Sequence, residues 1–169
     1  MALSQLLEPD RRFMQSALHQ AQMALEKGEV PVGAVVVRDR HIIGRGHNLV
    51  ESLQDPTAHA EMIAITAACQ TLESKFLTGC TLYVTLEPCP MCAGAMVNAR
   101  IDRLCFGAFD SKAGSASSLY SITHDQRLNH QIDVVSGVEA QQSETLLRDF
   151  FKQRRKMPTA LTDKSLISA

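Results

Sequence analysis

The eight residues Thr85-Leu86-Glu87-Pro88-Cys89-Pro90-Met91-Cys92 constrain the fold more than any other stretch. Cys80 to Leu86 alternates and is rich in Thr, Val and Tyr, which reads as a strand. Pro88 pushes Glu87 toward an extended conformation, so the strand ends there and the backbone turns into a helix over Met91 to Ala99. Cys89 then stands at a helix N-terminus, where the macrodipole and free amides favour thiolate, the metal-binding form of cysteine. One turn later Cys92 can turn its sulfur toward the same point, as a tetrahedral zinc requires. Ala93, Gly94 and Ala95 are small enough for this helix to lie close to a sheet.

Two cysteines cannot fill a tetrahedral site. His59-Ala60-Glu61 opens a second helical pattern and offers an imidazole as third ligand, together with a carboxylate suited to proton transfer. Residues two apart on a helix are separated by roughly 200°, so Glu61 does not share the face of His59 and reads as an acid/base beside the metal. Three protein ligands leave the fourth position to water, which marks a catalytic zinc, and water there falls from a pKa of ~15.7 to about 7. The chemistry this permits is hydrolytic deamination by zinc-bound hydroxide, with Glu61 passing protons from the water to the substrate and its leaving amine.

The rest of the chain supplies a frame. Asp10 to Lys27 has apolar residues at helical spacing and stops at Gly28. Val30 to Val37 is a β-branched run covered on both faces, Asp39-Arg40 is a hairpin turn, and His41 to Asn48 is its partner strand. Leu49 to Pro56 reads as a loop, with Asp55 or Thr57 available to cap a helix from His59 to Leu72. After the cysteine helix come a strand at Arg103 to Gly107, a Gly/Ser/Ala-rich loop over Ala108 to Ser118, a helical turn or two within Leu119 to His124, and a strand at Ile132 to Val135. A long helix from Glu139 to Met157 carries Leu146, Leu147, Phe150 and Phe151 on one face, one phenylalanine for the core and one free. Helices and strands alternate after an opening hairpin, which predicts a three-layer α/β/α sandwich around a mixed, about five-stranded sheet.

The 169 residues suit a single domain over 1–157, followed by a polar, unstructured tail at 158–169. Seventeen basic against 18 acidic residues exclude a broad cationic surface, so any nucleic acid must be met by local clusters such as Lys152, Arg154, Arg155 and Lys156. No apolar run reaches the ~18 residues of a membrane span and no leader pattern opens the chain, so a cytoplasmic protein away from membranes is expected. Five cysteines suit a reducing compartment, with Cys69, Cys80 and Cys105 read as small buried hydrophobes.

His59-Ala60-Glu61 followed by Pro88-Cys89-x-x-Cys92 resembles the motif of the zinc-dependent cytidine deaminase superfamily. The likeness extends from Gly28-Glu29-Val30-Pro31-Val32-Gly33-Ala34 through Asp55 to Glu61 and Thr81 to Cys89. It goes on to Met91-Cys92-Ala93-Gly94-Ala95-Met96, Phe106-Gly107-Ala108, Asn129-His130 and Asp149-Phe150-Phe151, and is strongest to the bacterial tRNA adenosine deaminases. That resemblance implies conversion of adenosine to inosine at wobble position 34 of an arginine tRNA anticodon stem-loop. It further implies one Zn2+ per subunit on His59, Cys89 and Cys92, a homodimer in which each site is completed by the neighbour, and no DNA partner. By the same resemblance Asn48 holds the flipped nucleoside, Ala60, Leu86 and Pro88 edge the pocket, and Asp110 and Lys112 contact the anticodon backbone. Phe151, Arg154 and Arg155 grip neighbouring nucleotides. Phe109 stands where the family has arginine and Pro90 where it has valine.

Simpler readings stand beside these. Cys-x-x-Cys alone fits a structural zinc or redox pair, but a closed site needs a fourth protein ligand, and His124, His130 and Cys80 lack a companion at ligand spacing. Asn48 alone would be a turn residue, Asp110 a solvated loop acid, and the basic run a helix end that complements its dipole. Two other functions share the motifs: deamination of free guanine or cytidine-type substrates, and a zinc-stabilised RNA-binding module without catalysis.

Overall fold

The computed structural model describes residues 8–156, so the expected tail at 158–169 lies outside the described residues. Helix α1 (Glu8–Glu26) buries Phe13, Met14, Ala17, Leu18, Ala21 and Ala24 at helical spacing and ends before Gly28, whose φ of 74° only glycine adopts freely. Strands β1 (Gly33–Arg38) and β2 (His41–His47) form the hairpin across Asp39-Arg40, both at positive φ as a type I′ turn requires. The strand begins at Gly33 rather than Val30. There follow α2 (Val50–Leu53), α3 (Ala60–Leu72), β3 (Cys80–Leu86), α4 (Pro90–Asn98), β4 (Arg103–Ala108), a 3-10 turn (Ile122–His124), β5 (Asp133–Val135) and α5 (Ala140–Lys156).

The sheet is mixed and five-stranded, in the order β2-β1-β3-β4-β5: β1 is antiparallel to β2 and β3, while β3, β4 and β5 run parallel. The pleat assigns alternate residues to opposite faces. Ala34, Val36, Leu82, Val84, Leu104 and Phe106 pack with Ala64, Ala68, Met96 and Val97 of α3 and α4. Val35, Val37, Tyr83 and Cys105 pack with Phe13, Met14, Ala17 and Leu18 of α1, backed by Leu146 of α5. These are the two helical layers of the expected α/β/α sandwich.

Three local expectations change. The segment expected as loop contains α2, a single turn stabilised from outside by a carboxylate on a distant segment, which no local pattern announces. Asp55 does not cap α3: its Oδ1 accepts from the Thr57 amide and hydroxyl at 2.8 and 2.7 Å, and the cap comes instead from Asn48. Gly94 faces open space; the close backbone approach lies at Gly44 and Gly46 of β2, where a Cβ would stand 2.3 Å from the Ala64 carbonyl oxygen and 2.2 Å from that of Ala60. The two glycines of β2 thus seat the first turns of α3 directly on the sheet.

Candidate active site

Two helix N-termini converge beyond the end of β3. His59 is the N-cap of α3 and Cys89 the N-cap of α4, both with extended backbone (ψ 153° and 172°), and Pro90 occupies the first turn of α4, where its missing N–H costs nothing. Strand β3 makes its last pair at Leu86 opposite Ala108, and the Glu87 amide donates to the Ala108 carbonyl before Pro88 turns the chain. Cys89 therefore emerges at a fixed point.

His59 Nδ1 lies 3.6 Å from Cys89 Sγ and 3.5 Å from Cys92 Sγ. Bonds of ~2.0–2.1 Å to nitrogen and ~2.3 Å to sulfur meeting at a tetrahedral centre give an N···S edge of about 3.5 Å. The donors are already spaced to hold a zinc ion. Among the described residues this trio is the one group of three or more His, Cys, Asp or Glu side chains so arranged. His130 instead sits 2.7 Å from the Ile101 carbonyl, and His124 lies beside Thr123.

The three donors and Glu61 strongly shift one another's protons. Cys89 is pulled down to about 4 by a hydrogen bond from the Cys92 thiol, against burial and with help from His59, while Cys92 is held up by that same bond and by burial. His59 is raised, mostly by Cys89. Glu61, 4% exposed, is lifted to about 7 by desolvation, with its own backbone amide and His59 opposing. A carboxyl near 7 can both give and accept a proton at neutral pH.

His59, Glu61 and Cys89 line a cavity of about 320 Å³ together with Asn48, Leu86, Asp110 and Arg154, at the small end of ligand sites. Asn48 Oδ1 accepts from the Ala60 amide at 2.9 Å, so the carboxamide oxygen caps α3 and the NH2 is what remains to meet a substrate. Around Ala60 and Pro88 the lining comes from His59, Glu61, Leu86 and Glu87, while Ala60 itself is fully buried and the Pro88 carbonyl accepts from the Ser115 amide. Asp110 Oδ1 accepts from the Lys112 and Ala113 amides at 2.9 and 3.3 Å, bracing its own turn. A second groove shares Val30, Leu86 and Asp110 with the cavity and continues past Phe109, Lys112 and Phe151. Phe150 is buried and Phe151 exposed, the split expected on α5. Arg154 donates to the Gly28 carbonyl at 3.0 Å and stacks over Phe150; Arg155 is exposed and lines neither space.

The profile of the MafB19-like deaminase family matches residues 8–155. The tRNA-specific adenosine deaminase of Bacillus subtilis (strain 168) is 49% identical over 151 residues, covering 89% of this chain and 94% of that protein. That of Aquifex aeolicus (strain VF5) is 48% identical over 143 residues, 85% and 94% of the two chains. The chain belongs to the tRNA-specific adenosine deaminase family. A solved structure from work on A-to-I editing by tRNA:A34 deaminases at the wobble position superposes on it with a TM-score of 0.78 at 45% identity, covering 80% of this chain and 99% of that one. Two residues that line the cavity escaped sequence reasoning. Glu29 and Glu87 are almost fully buried beside the cavity, and each accepts several backbone N–H groups. Burial would raise both, but hydrogen bonds led by Ser52 for Glu29 and by Ser118 for Glu87 bring them below the usual carboxylate value. The signal was present: a glutamate flanked by apolar strand and loop residues must bring its own partners.

Proposed function

We propose that the protein hydrolyses the exocyclic amine of adenosine at wobble position 34 of a tRNA anticodon, giving inosine and ammonia, with His59, Cys89 and Cys92 holding one Zn2+ and Glu61 moving the protons. The observation that carries the reading is the meeting of a three-donor metal cradle and a carboxyl near pKa 7 at one cavity. When bound, zinc supplies the Lewis acidity that makes water a nucleophile at neutral pH. Glu61 takes one proton from the attacking water and delivers it to the ring nitrogen N1 as the C6–O bond forms, then takes the remaining proton of the new C6 hydroxyl and gives it to the amine as the C–N bond breaks and ammonia leaves. Asn48, anchored through its oxygen, offers its NH2 to the nucleoside.

The cavity admits one nucleoside and no duplex, so the target base must leave its stack, as an anticodon loop base can. Phe109 and Phe151 are exposed rings beside the opening, and Lys112 and Arg154 place cations near it. Unpaired nucleotides flanking the target would meet aromatic faces and charge there. An arginine tRNA, a cytoplasmic location and a homodimer complete the proposal. No helix among the described residues is long and apolar enough to cross a membrane, and the apolar cleft of Leu53, Met62 and Ile63 offers surface for a second copy.

Purified protein should form inosine from an A34-containing arginine anticodon stem-loop far faster than from free adenosine, lose that activity to a chelator and regain it with zinc. Rapid turnover of free guanine or cytidine with none on the stem-loop would assign the site to small-molecule deamination. RNA binding without inosine formation would leave a binding module.

A further inference from the structure

The cavity is rimmed by two segments of little regular structure. One is α2, a single turn of four residues, which contributes Val50 and Glu51; the other is the turn-rich loop 109–118, which contributes Asp110 and Ala113. One-turn helices and irregular loops are marginal without outside support. Each rests on one buried glutamate. Glu29 Oε2 accepts from the Glu51 amide at 3.1 Å, and Oε1 from the amide and hydroxyl of Ser52, both at 2.7 Å. Glu87 Oε1 accepts from the amides of Ala116, Ser117 and Ser118 at 3.2, 2.8 and 2.9 Å, and Oε2 accepts from the Asp110 amide at 3.0 Å and the Ser118 hydroxyl. The loop lies directly on this carboxylate, since a Cβ on Gly114 would stand 2.3 Å from Glu87 Oε2.

We propose that Glu29 and Glu87 are positioning residues that hold the two lips of the cavity independently, so that the flanking nucleotides of the substrate meet preformed contacts. Every donor aimed at them is an N–H or O–H, so a carboxylate suits all of them, whereas a carboxamide presents an NH2 to at least one backbone N–H and breaks the cradle. Glu87 grips Asp110 itself and residues 116–118, and so brackets Lys112; Asp110 and Lys112 are the expected RNA contacts. Glu29 fixes the turn opposite them, and its neighbour Gly28 receives Arg154. Ordering the lips in advance spares the substrate the entropy of ordering them on binding.

The test is hydrogen exchange by mass spectrometry on the zinc-loaded protein, with E87Q and E29Q compared to wild type. In E87Q the amides of 110–118 should exchange at least tenfold faster while those of 51–52 keep their rate; E29Q should show the reverse. On the anticodon stem-loop, KM should rise about tenfold or more with kcat falling less than threefold and zinc content unchanged, and E87D should recover part of the loss. Loosening of both lips in either variant, no loosening at all, or a collapse of kcat at constant KM would overturn the proposal. Should E87Q not fold, G114A and S118A disturb the same lip with Glu87 intact and carry the same expectations. The kinetic half rests on the tRNA reading: wild type inactive on the stem-loop would refute that reading, while the exchange pattern still decides the clamps.

Discussion

The sheet carries a buried acid on each face, and the protein treats the two in opposite ways. On the α1 face, Asp10 takes a bidentate pair from Arg103 at 2.7 and 2.8 Å and a third hydrogen bond from the Tyr83 hydroxyl at 2.8 Å. Arg103 holds its carboxyl below the ordinary value, against burial. On the α3 face, Glu61 has no guanidinium, and desolvation lifts it to about 7. A buried carboxylate given fixed counter-charges becomes a staple between helix and sheet; one left without them keeps a proton that it can exchange. The difference separates stability from chemistry more sharply than distance from the cavity does.

The largest effect should come from breaking the poised side. E61Q keeps the shape of the residue and removes the proton carrier, so kcat should fall on the order of 10³–10⁴-fold, the upper range of general acid/base catalysis, because one group serves several transfers. Zinc content should hold, and the melting temperature should hold or rise, since an ill-solvated acid is replaced by a neutral amide. A loss below tenfold would remove Glu61 from the proton path.

D10N should do the converse. Leaving Arg103 with half its partner should cost about 2 kcal/mol, a drop of roughly 4–8 °C for a domain of this size, with the activity of the folded protein retained. The sign of the pH dependence follows from the lowered folded value: the stabilisation is present above the unfolded value near 3.8 and is lost as pH falls through the folded one. Melting curves of wild type and D10N should therefore lie apart at neutral pH and converge in acid. A constant gap would mean that Asp10 acts through packing and not through its charge.

How legible each region was in the sequence depends on how local its causes are. The metal cradle could be read because Pro88 ends a strand, Pro90 starts a helix and two residues separate the two cysteines, all within one stretch. The strand faces could be read from alternation. Asp10 could not, because its partners Tyr83 and Arg103 lie 73 and 93 residues away and a lone acid early in a helix has an ordinary local role. For the same reason α2 and the cap of α3 were misplaced: Glu29 and Asn48 act on amides 22 and 12 residues distant. Asp55, the local candidate for the cap, turned to its own neighbour Thr57 instead.

The smallest effects should come from charges that are neither buried nor paired. Lys112 and Arg155 are exposed, and among the described residues neither side chain has a hydrogen bond or ion pair. Their value is therefore available only to a partner. K112A should leave the melting temperature and kcat alone and raise KM for the stem-loop a few-fold. If the lost contact is to a phosphate of a single strand, the slope of log affinity against log salt should shrink by about 0.7. R155A, further from the cavity, should do the same more weakly or not at all. An unchanged salt slope in K112A would place Lys112 outside the phosphate contacts and leave the second groove to its aromatic rings; a fall in kcat would mean that the loop between Asp110 and Ser118 transmits to Glu61, and that the division between poised and passive charge does not end at the cavity wall.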